Sequence, residues 1–493
     1  MLTPIYKRFC YSCNNINDDP MKYFALLLIL FTPFFDFAQY CDSFELTLED
    51  ELEFGCTKNS ITTLHDQLDR DFLYVANTGG GLSVVDLSDP ENMTSVVNLP
   101  IDNFANIPVN RITQEGNYLY LALGTLFGSH GDPSGMAIVN IENPLSPTVL
   151  DVWTSEENAG CAYVAVRGHL AYLCALSNGV IVLNIADKEN ISFVSQYIPP
   201  TNWPEAVDPD KVKARHIVFE GDKAYVAYDA GGMRILDISN PSELNEIGRY
   251  SNPAMEGAAR AYNNIVKEEN LLYVAVDYAG MEVLDISNTT EVTLHGWWNP
   301  NDFPLANPAA TSWKWFSSAY HTNEIHLIDE CGVVFMSCGR TEIVGIDVSD
   351  PSAPTLCGHF GDSTDNISSY GMTVYKDHIY AGLICVPPGP FIPFTGVWSG
   401  VKSLIYSSDC ALSINEDKQA AKLNIFPNPA KTEITIANTA AIDQLSIYDL
   451  TGKLILRDNS GVNNVLIGSL SSGIYLIQIK SEGNTIEQKL IIE

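Results

Sequence analysis

The sequence predicts an all-β fold, a seven-bladed β-propeller followed by a small C-terminal antiparallel β-sandwich. Three observations carry that prediction: a four-strand unit recurs along the middle of the chain, short apolar runs alternate with turn formers, and the texture changes near Lys422 while the alternation persists. Of the 493 residues 46% are hydrophobic and only 18% charged, enough to bury a large core and unlike a disordered chain. With 60 acidic against 27 basic residues the formal charge is −33, which repels nucleic acid and anionic lipid, and no Lys/Arg run offsets it. At about 100–200 residues per domain the length alone suggests about three domains, a count that one large ring would lower.

Taken in order, residues 21–38 read as a signal peptide. Met21 and Lys22 supply a start and a positive n-region. Tyr23 to Phe35 is an apolar core too short to cross a ~30 Å bilayer as a helix, and Ala38 before Gln39 offers a cleavage point, although Asp36 stands where a small residue is preferred. Residues 1–20 fit no signal, so translation is read as starting at Met21, and the Cys10/Cys13 pair then has no function. Cys41 follows Gln39 and Tyr40 rather than the small residues of a lipidation site. Cys41 with Cys56, and Cys331 with Cys338, are close enough in sequence to bridge, with buried thiols as the alternative; no cysteine pairs recur with His at zinc spacing.

Residues 39–408 hold the repeat. An aromatic stands twelve positions before Asp or Asn in Tyr74/Asp86, Tyr172/Asn184, Tyr225/Asp237, Tyr273/Asp285 and Phe335/Asp347. Tyr120/Asn140 is the same unit with eight inserted residues, and a seventh, degraded copy begins at Tyr380. Each unit reads as four strands, such as HIVFEG, AYVAY, MRILDI and ELNEIGRY, separated by turns such as Glu220-Gly221-Asp222 and Ser239-Asn240-Pro241. The repeated Asp or Asn can bond the backbone N–H two residues on, so these residues are read as structural rather than catalytic. The unit size matches a propeller blade. A linear solenoid would need polar caps at both ends, and none is evident. Residues 42–56 instead form a strand-like segment expected to pair into the last blade and close the ring. The wording GGLSVVDLSDP, GGMRILDISNP, AGMEVLDISN and VGIDVSDPSAP resembles the LVIVD-repeat family of bacterial surface and secreted proteins over about residues 60–405. That resemblance implies a propeller and transfers no catalytic residue.

Residues 409–421 read as a linker and 422–493 as a separate module. Its FPNPA, YDLTGK, SGIYLIQI and terminal KLII segments are similar to the type A C-terminal sorting domain of type IX secretion cargo in Bacteroidetes-type bacteria. The resemblance implies passage across the outer membrane. It places Pro427, Asn428 and Pro429 in the FPNP turn, Gly452 and Lys453 in the central turn, and Gly473 and Tyr475 in the GIY strand.

Catalytic motifs fare poorly. Phe360 to Asp365 resembles the nucleophile block of GDS-type esterases, but it lies between blades, and Asp377 and His378 are adjacent where that family needs Asp-x-x-His. His321 and His326, five apart in a strand, face opposite sides and cannot share a metal. The loops beginning at Asp229 and Asp277 lack a close-spaced acidic series, so no cofactor is expected and calcium is the one ion to consider.

Strand alternation puts the links between blades and the loops between second and third strands on one face. The long inserts, Leu121 to Gly135, Thr201 to Ala214, Asn299 to Ser318 and Cys385 to Gly396, therefore emerge together. They carry Trp203, Trp313 and Trp315, aromatics suited to carbohydrate or protein contact. Arg111, Arg215, His216, Arg260 and His321 start innermost strands and are expected to ring the channel mouth, where they could receive an anion. The reading that follows is a non-enzymatic, secreted or surface-attached binding or adhesion module. Its expected partners are the type IX machinery and an extracellular protein or glycan, with no nucleic acid and no transmembrane segment. An exported hydrolase or lyase using the same face, with or without calcium, is the alternative.

Overall fold

The computed structural model describes residues 44–126, 131–204, 207–256, 260–277, 279–288, 291–299, 322–328, 331–338, 342–361, 367–386 and 396–407, and, in the C-terminal region, 424–426, 430–437, 444–449, 453–458, 464–468, 470–481 and 484–492. Four-stranded antiparallel sheets run over 62–99, 109–158, 163–197, 212–250, 261–298 and 322–360, the fourth and fifth touching through a single bridge between Asp229 and Tyr262. One more sheet takes three strands from 369–407 and, as its outermost member, the strand Glu45–Glu53, paired with Gly400–Ser407 from Glu45↔Ser407 to Glu53↔Gly400. The innermost strands, from Thr62–His65 through Val109–Glu115, Tyr163–Arg167, Val212–Glu220, Ala261–Glu268 and Thr322–Ile328 to Ser369–Tyr375, pack in sequence, and the last packs against the first. The sheets thus form a ring that the N-terminal segment closes.

The repeat motif is explained residue by residue. Tyr74, Tyr120, Tyr172, Tyr225, Tyr273, Phe335 and Tyr380 are all buried. Asp86, Asn140, Asn184, Asp237, Asp285 and Asp347 each accept the backbone N–H two residues on at 2.8–2.9 Å, which sets the turn into the fourth strand. Each outermost strand then carries one extra residue at the same place, namely Val96, Leu150, Val194, Ile247, His295, Cys357 and, in the closing strand, Glu49. A bulge there twists the exposed edge and blunts pairing with other chains. Directly after the bulge, Asp50 accepts from Met93 N at 2.6 Å just as Asp151 accepts from Ile191 N at 2.7 Å, so the closing strand makes the same contact to its neighbouring sheet as an ordinary fourth strand.

Cys56 is bridged to Cys385 with 5.1 Å between Cα atoms across 329 residues of chain, so the pairing of Cys41 with Cys56 is corrected. The pairing of Cys331 with Cys338 is corrected as well: Cys331 is disulfide-bonded while Cys338 is a buried thiol. The strand Val333–Cys338 separates the two, and at ~3.3 Å per residue they stand far beyond the ~7 Å limit for a bridge. Phe44, ahead of the closing strand, lies on Gly345 and Gly358, which are paired across their sheet; a Cβ on either would meet its ring at 2.4 or 2.9 Å.

In the C-terminal region one sheet joins Asn424–Phe426, Glu433–Ala437 and Asn464–Leu466, and another joins Leu454–Asp458, Gln444–Asp449, Gly473–Ser481 and Asn484–Ile492. Ile434, Ile436 and Val465 of the first share one core with Leu445, Ile447, Ile477 and Leu490 of the second. Gly473 opens its strand, Tyr475 donates its hydroxyl to Ser471 O at 2.8 Å, and Lys453 precedes Leu454–Asp458. Pro427, Asn428, Pro429 and Gly452 lie outside the described residues, as do the signal peptide, residues 1–20 and the whole linker. No helix among the described residues is long and apolar enough to cross a membrane.

Candidate binding face at the channel mouth

The strand ends at Leu123 and Pro133, at Leu383 and Gly400, and at Tyr197 and Val212 lie on the face where innermost strands begin, whereas turns such as Gly116-Asn117 and Gly168-His169 are tight and lie opposite. One level of the innermost strands holds Thr62, Arg111, Tyr163, His216 and Asn264, each in register with the residue two beyond its repeat aromatic. Glu324 and Gly371 complete that level beside register shifts in their own strands. Arg111 reaches across it. Its Nη1 donates to Thr62 Oγ1 at 3.2 Å and is ion-paired with Glu324 on a distant sheet, while its guanidinium lies 5.6 Å from the Tyr370 ring centroid. Gly371 makes room for this, because a Cβ there would stand 2.7 Å from Glu324 Oε2. Burial disfavours the Arg111 charge, but Glu324 together with Tyr370 and Tyr163 outweighs it and holds the guanidinium above its ordinary value.

One residue nearer the insert-bearing face, Arg215 donates Nε and Nη2 to Asp229 Oδ2 at 2.9 and 2.7 Å. His216 lies tilted against Tyr163 with centroids 3.9 Å apart; burial, then Arg111, push its imidazole down to about 3, so it is neutral. Arg260 is buried and donates Nη1 to Met255 O at 2.6 Å. Of the residues expected to ring the mouth, Arg111 and Arg215 thus face carboxylates, Arg260 faces a carbonyl, and His216 carries no charge. Trp203 is half-buried between the Arg234 and Arg249 guanidiniums at 4.6 and 5.4 Å, and Arg234 Nη2 donates to Trp203 O at 3.0 Å. It anchors its insert to the ring rather than projecting from it. His321, Trp313 and Trp315 lie outside the described residues, as do residues 362–365 of the esterase-like segment. Glu324, Tyr163 and Tyr370 were not singled out from sequence, since each looks like an ordinary strand residue until the ring brings it inward; Asp229 was weighed only as a loop residue for calcium and not as the partner of Arg215.

A second polar cluster is buried beside the link at Pro253–Met255. Glu282 is fully buried, accepting from Asn252 Nδ2 at 2.6 Å and from the Tyr262 hydroxyl at 3.0 Å. Burial pushes its carboxyl up from 4.5 to about 7, against Asn252, Tyr262 and Arg260, which pull it down. Folded Glu282 thus keeps its proton to higher pH than the unfolded chain, so its stabilising contribution is complete below about 4.5 and is lost as pH rises through about 7. The expected result is a urea midpoint that falls over that window in the wild type and much less in Glu282→Gln; parallel profiles for the two chains would dismiss the shift.

Among the described residues no group of three or more His, Cys, Asp or Glu side chains is placed to hold a metal ion, and Asp229, one of the two loop residues weighed for calcium, is bound by Arg215.

Comparison with known proteins adds to this geometry. Residues 68–99, 212–252, 259–299 and 339–362 match the LVIVD repeat, and residues 424–493 match the secretion system C-terminal sorting domain. A 72-residue stretch is 32% identical to beta-agarase D of Zobellia galactanivorans; it covers 14% of this chain and spans only 15% of that relative's length. Among solved structures, the RRP9 WD40 repeats align at TM-score 0.50 and 12% identity over 74% of this chain and 100% of that one. The Myceliophteria thermophila Cps50 (Swd1) β-propeller domain aligns at TM-score 0.50 and 11% identity over the same shares. At such identities the likeness shows the propeller fold alone.

Proposed function

We propose that this chain, which carries LVIVD repeats and a type IX secretion sorting domain, is an exported binding or adhesion module without catalysis. It is read as a closed seven-bladed β-propeller displaying its inserts on one face, followed by a small β-sandwich that addresses it to the secretion machinery. The sorting domain implies export to the cell surface or the medium. The chemistry of the mouth supports binding over catalysis. Arg111 and Arg215 are engaged with Glu324 and Asp229, and among the described residues no hydroxyl or thiol side chain is hydrogen-bonded to a histidine ring. A hydrolase would want a nucleophile beside a base, or two carboxyl groups with separated pKa values. The partner is an extracellular protein or glycan; with a net charge of −33 nucleic acid is disfavoured.

Fractionation of cells expressing the full chain should find it on the surface or in the medium, and a chain lacking residues 424–493 should stay inside the outer membrane. Equal recovery of both outside the cell would defeat the export assignment. Probing the purified full chain on arrays of proteins and glycans tests the binding role. Turnover of a polysaccharide or ester in the same preparations, abolished by Glu324→Gln, would favour the hydrolase instead.

A further inference from the structure

We propose that the insert-side mouth of the channel binds an uncharged saccharide, through the ion-paired side chains and tyrosine rings that converge there from different sheets. This rests on the reading of the chain as a binding module and narrows its ligand class.

Convergence is the first observation. Tyr370 lies within electrostatic reach of both Arg111 and Arg215, and His216 within reach of Arg111, although the four residues come from three different sheets. The place is recessed rather than sealed: Arg215 and Glu324 are enclosed by the ring, yet 20% and 17% of their side chains remain exposed. Groups on an outer surface are exposed without being enclosed, and core groups are enclosed without being exposed.

Charge decides what such a recess takes. Arg111 is offset by Glu324 and Arg215 by Asp229, while Lys213, the further cation in reach of Arg215, is balanced by Asp277, so no net positive charge is left over for an anion. The hydrogen-bonding capacity is not used up, however. A guanidinium has five N–H donors in fixed directions, and Arg215 directs its bonds to a single oxygen, Asp229 Oδ2. Asp229 Oδ1 and His216 Nδ1 are buried with no hydrogen-bond partner among the described residues. Paired, immobilised donors and acceptors match hydroxyl groups, each of which both donates and accepts. Tyr163, partly exposed beside His216, adds a ring against which the C–H face of a sugar can pack, with the buried Tyr370 behind Arg111, giving the combination of apolar wall and few convergent polar groups typical of a ligand site.

The test uses the full chain and defined probes: neutral gluco-, galacto- and manno-configured oligosaccharides beside their sulfated and uronate counterparts, titrated at low and high salt. The expected result is binding of a neutral member that is insensitive to salt and weakened about tenfold or more by Arg215→Gln and by Asp229→Asn. Should either variant melt early, amide exchange of residues 213–217 in the wild-type chain, with and without that oligosaccharide, should show protection. Binding confined to charged glycans and weakened by salt would overturn the proposal. So would neutral binding that neither variant alters and that gives no protection at 213–217. Capture of proteins but no glycan would end the proposal and leave the binding role standing, whereas no ligand of either kind would end both.

Discussion

Deleting residues 42–56 should abolish cooperative unfolding of the ring. The deletion removes the whole ladder with Gly400–Ser407, a strand buried along most of its length, and leaves that strand as a raw edge. It also removes the half-buried Leu46 and Leu52, the Phe44 ring seated on Gly345 and Gly358, and the bridge from Cys56 to Cys385. On the chain-entropy account a bridge closing so long a loop contributes about 6 kcal/mol by itself, comparable with the ~5–15 kcal/mol that separates folded from unfolded domains. Calorimetry should therefore show a broad or absent transition for the deletion, and an intermediate loss for Cys56→Ser with Cys385→Ser, where the strand stays but the tether goes. A deletion chain with the wild-type melting transition would show that the ring holds without its N-terminal strand.

The contrast between the closing strand and the bridge that secures it shows what could be seen beforehand. Closure was legible because a lone strand-like segment, 42–56, preceded a unit one strand short, and a ring leaves only one vacancy for it. The Asx turns at Asp86, Asp237 and their counterparts were legible for a simpler reason: donor and acceptor are two residues apart, so spacing alone specifies the bond. The face carrying the inserts followed from strand alternation. What escaped was non-local. Arg111 and Glu324 are 213 positions apart, and nothing in either strand marks the other as its partner until the ring curls. The bulges at Val96, Ile247 and Glu49 escaped because an extra residue in one strand is invisible without its opposite number. Trp203 misled for a related reason. An aromatic in an insert looks like a ligand contact, but the buried Arg234 that clasps it sits at a position where neighbouring units carry Ile181 and Glu282, so the repeat gave no warning.

Breaking the cross-ring pair from one side should be among the most damaging single changes in the ring. Glu324→Ala leaves the Arg111 guanidinium enclosed with only Thr62 Oγ1 and the Tyr370 ring for company, and losing one partner of a buried pair costs about 3–5 kcal/mol. Replacing both, as Arg111→Met with Glu324→Leu, should cost far less, because neither ion then has to leave water. Urea unfolding of Arg111→Met, Glu324→Leu and the double variant that combines them gives the coupling directly; additive losses would mean that the pair is not the strut described above. Gly371 extends the argument to shape. A methyl at that position would stand 2.6 Å from Ile61 O and 2.8 Å from Thr62 Cα as well as 2.7 Å from Glu324 Oε2. The first two belong to the backbone of the neighbouring innermost strand and cannot swing aside, so Gly371→Ala should cost roughly 1–3 kcal/mol as overpacking. That penalty should persist nearly intact when Glu324→Ala is also present. If removing the carboxylate relieved it instead, the space at Gly371 would belong to the ion pair alone, and the close approach of the first and last innermost strands would not depend on the glycine.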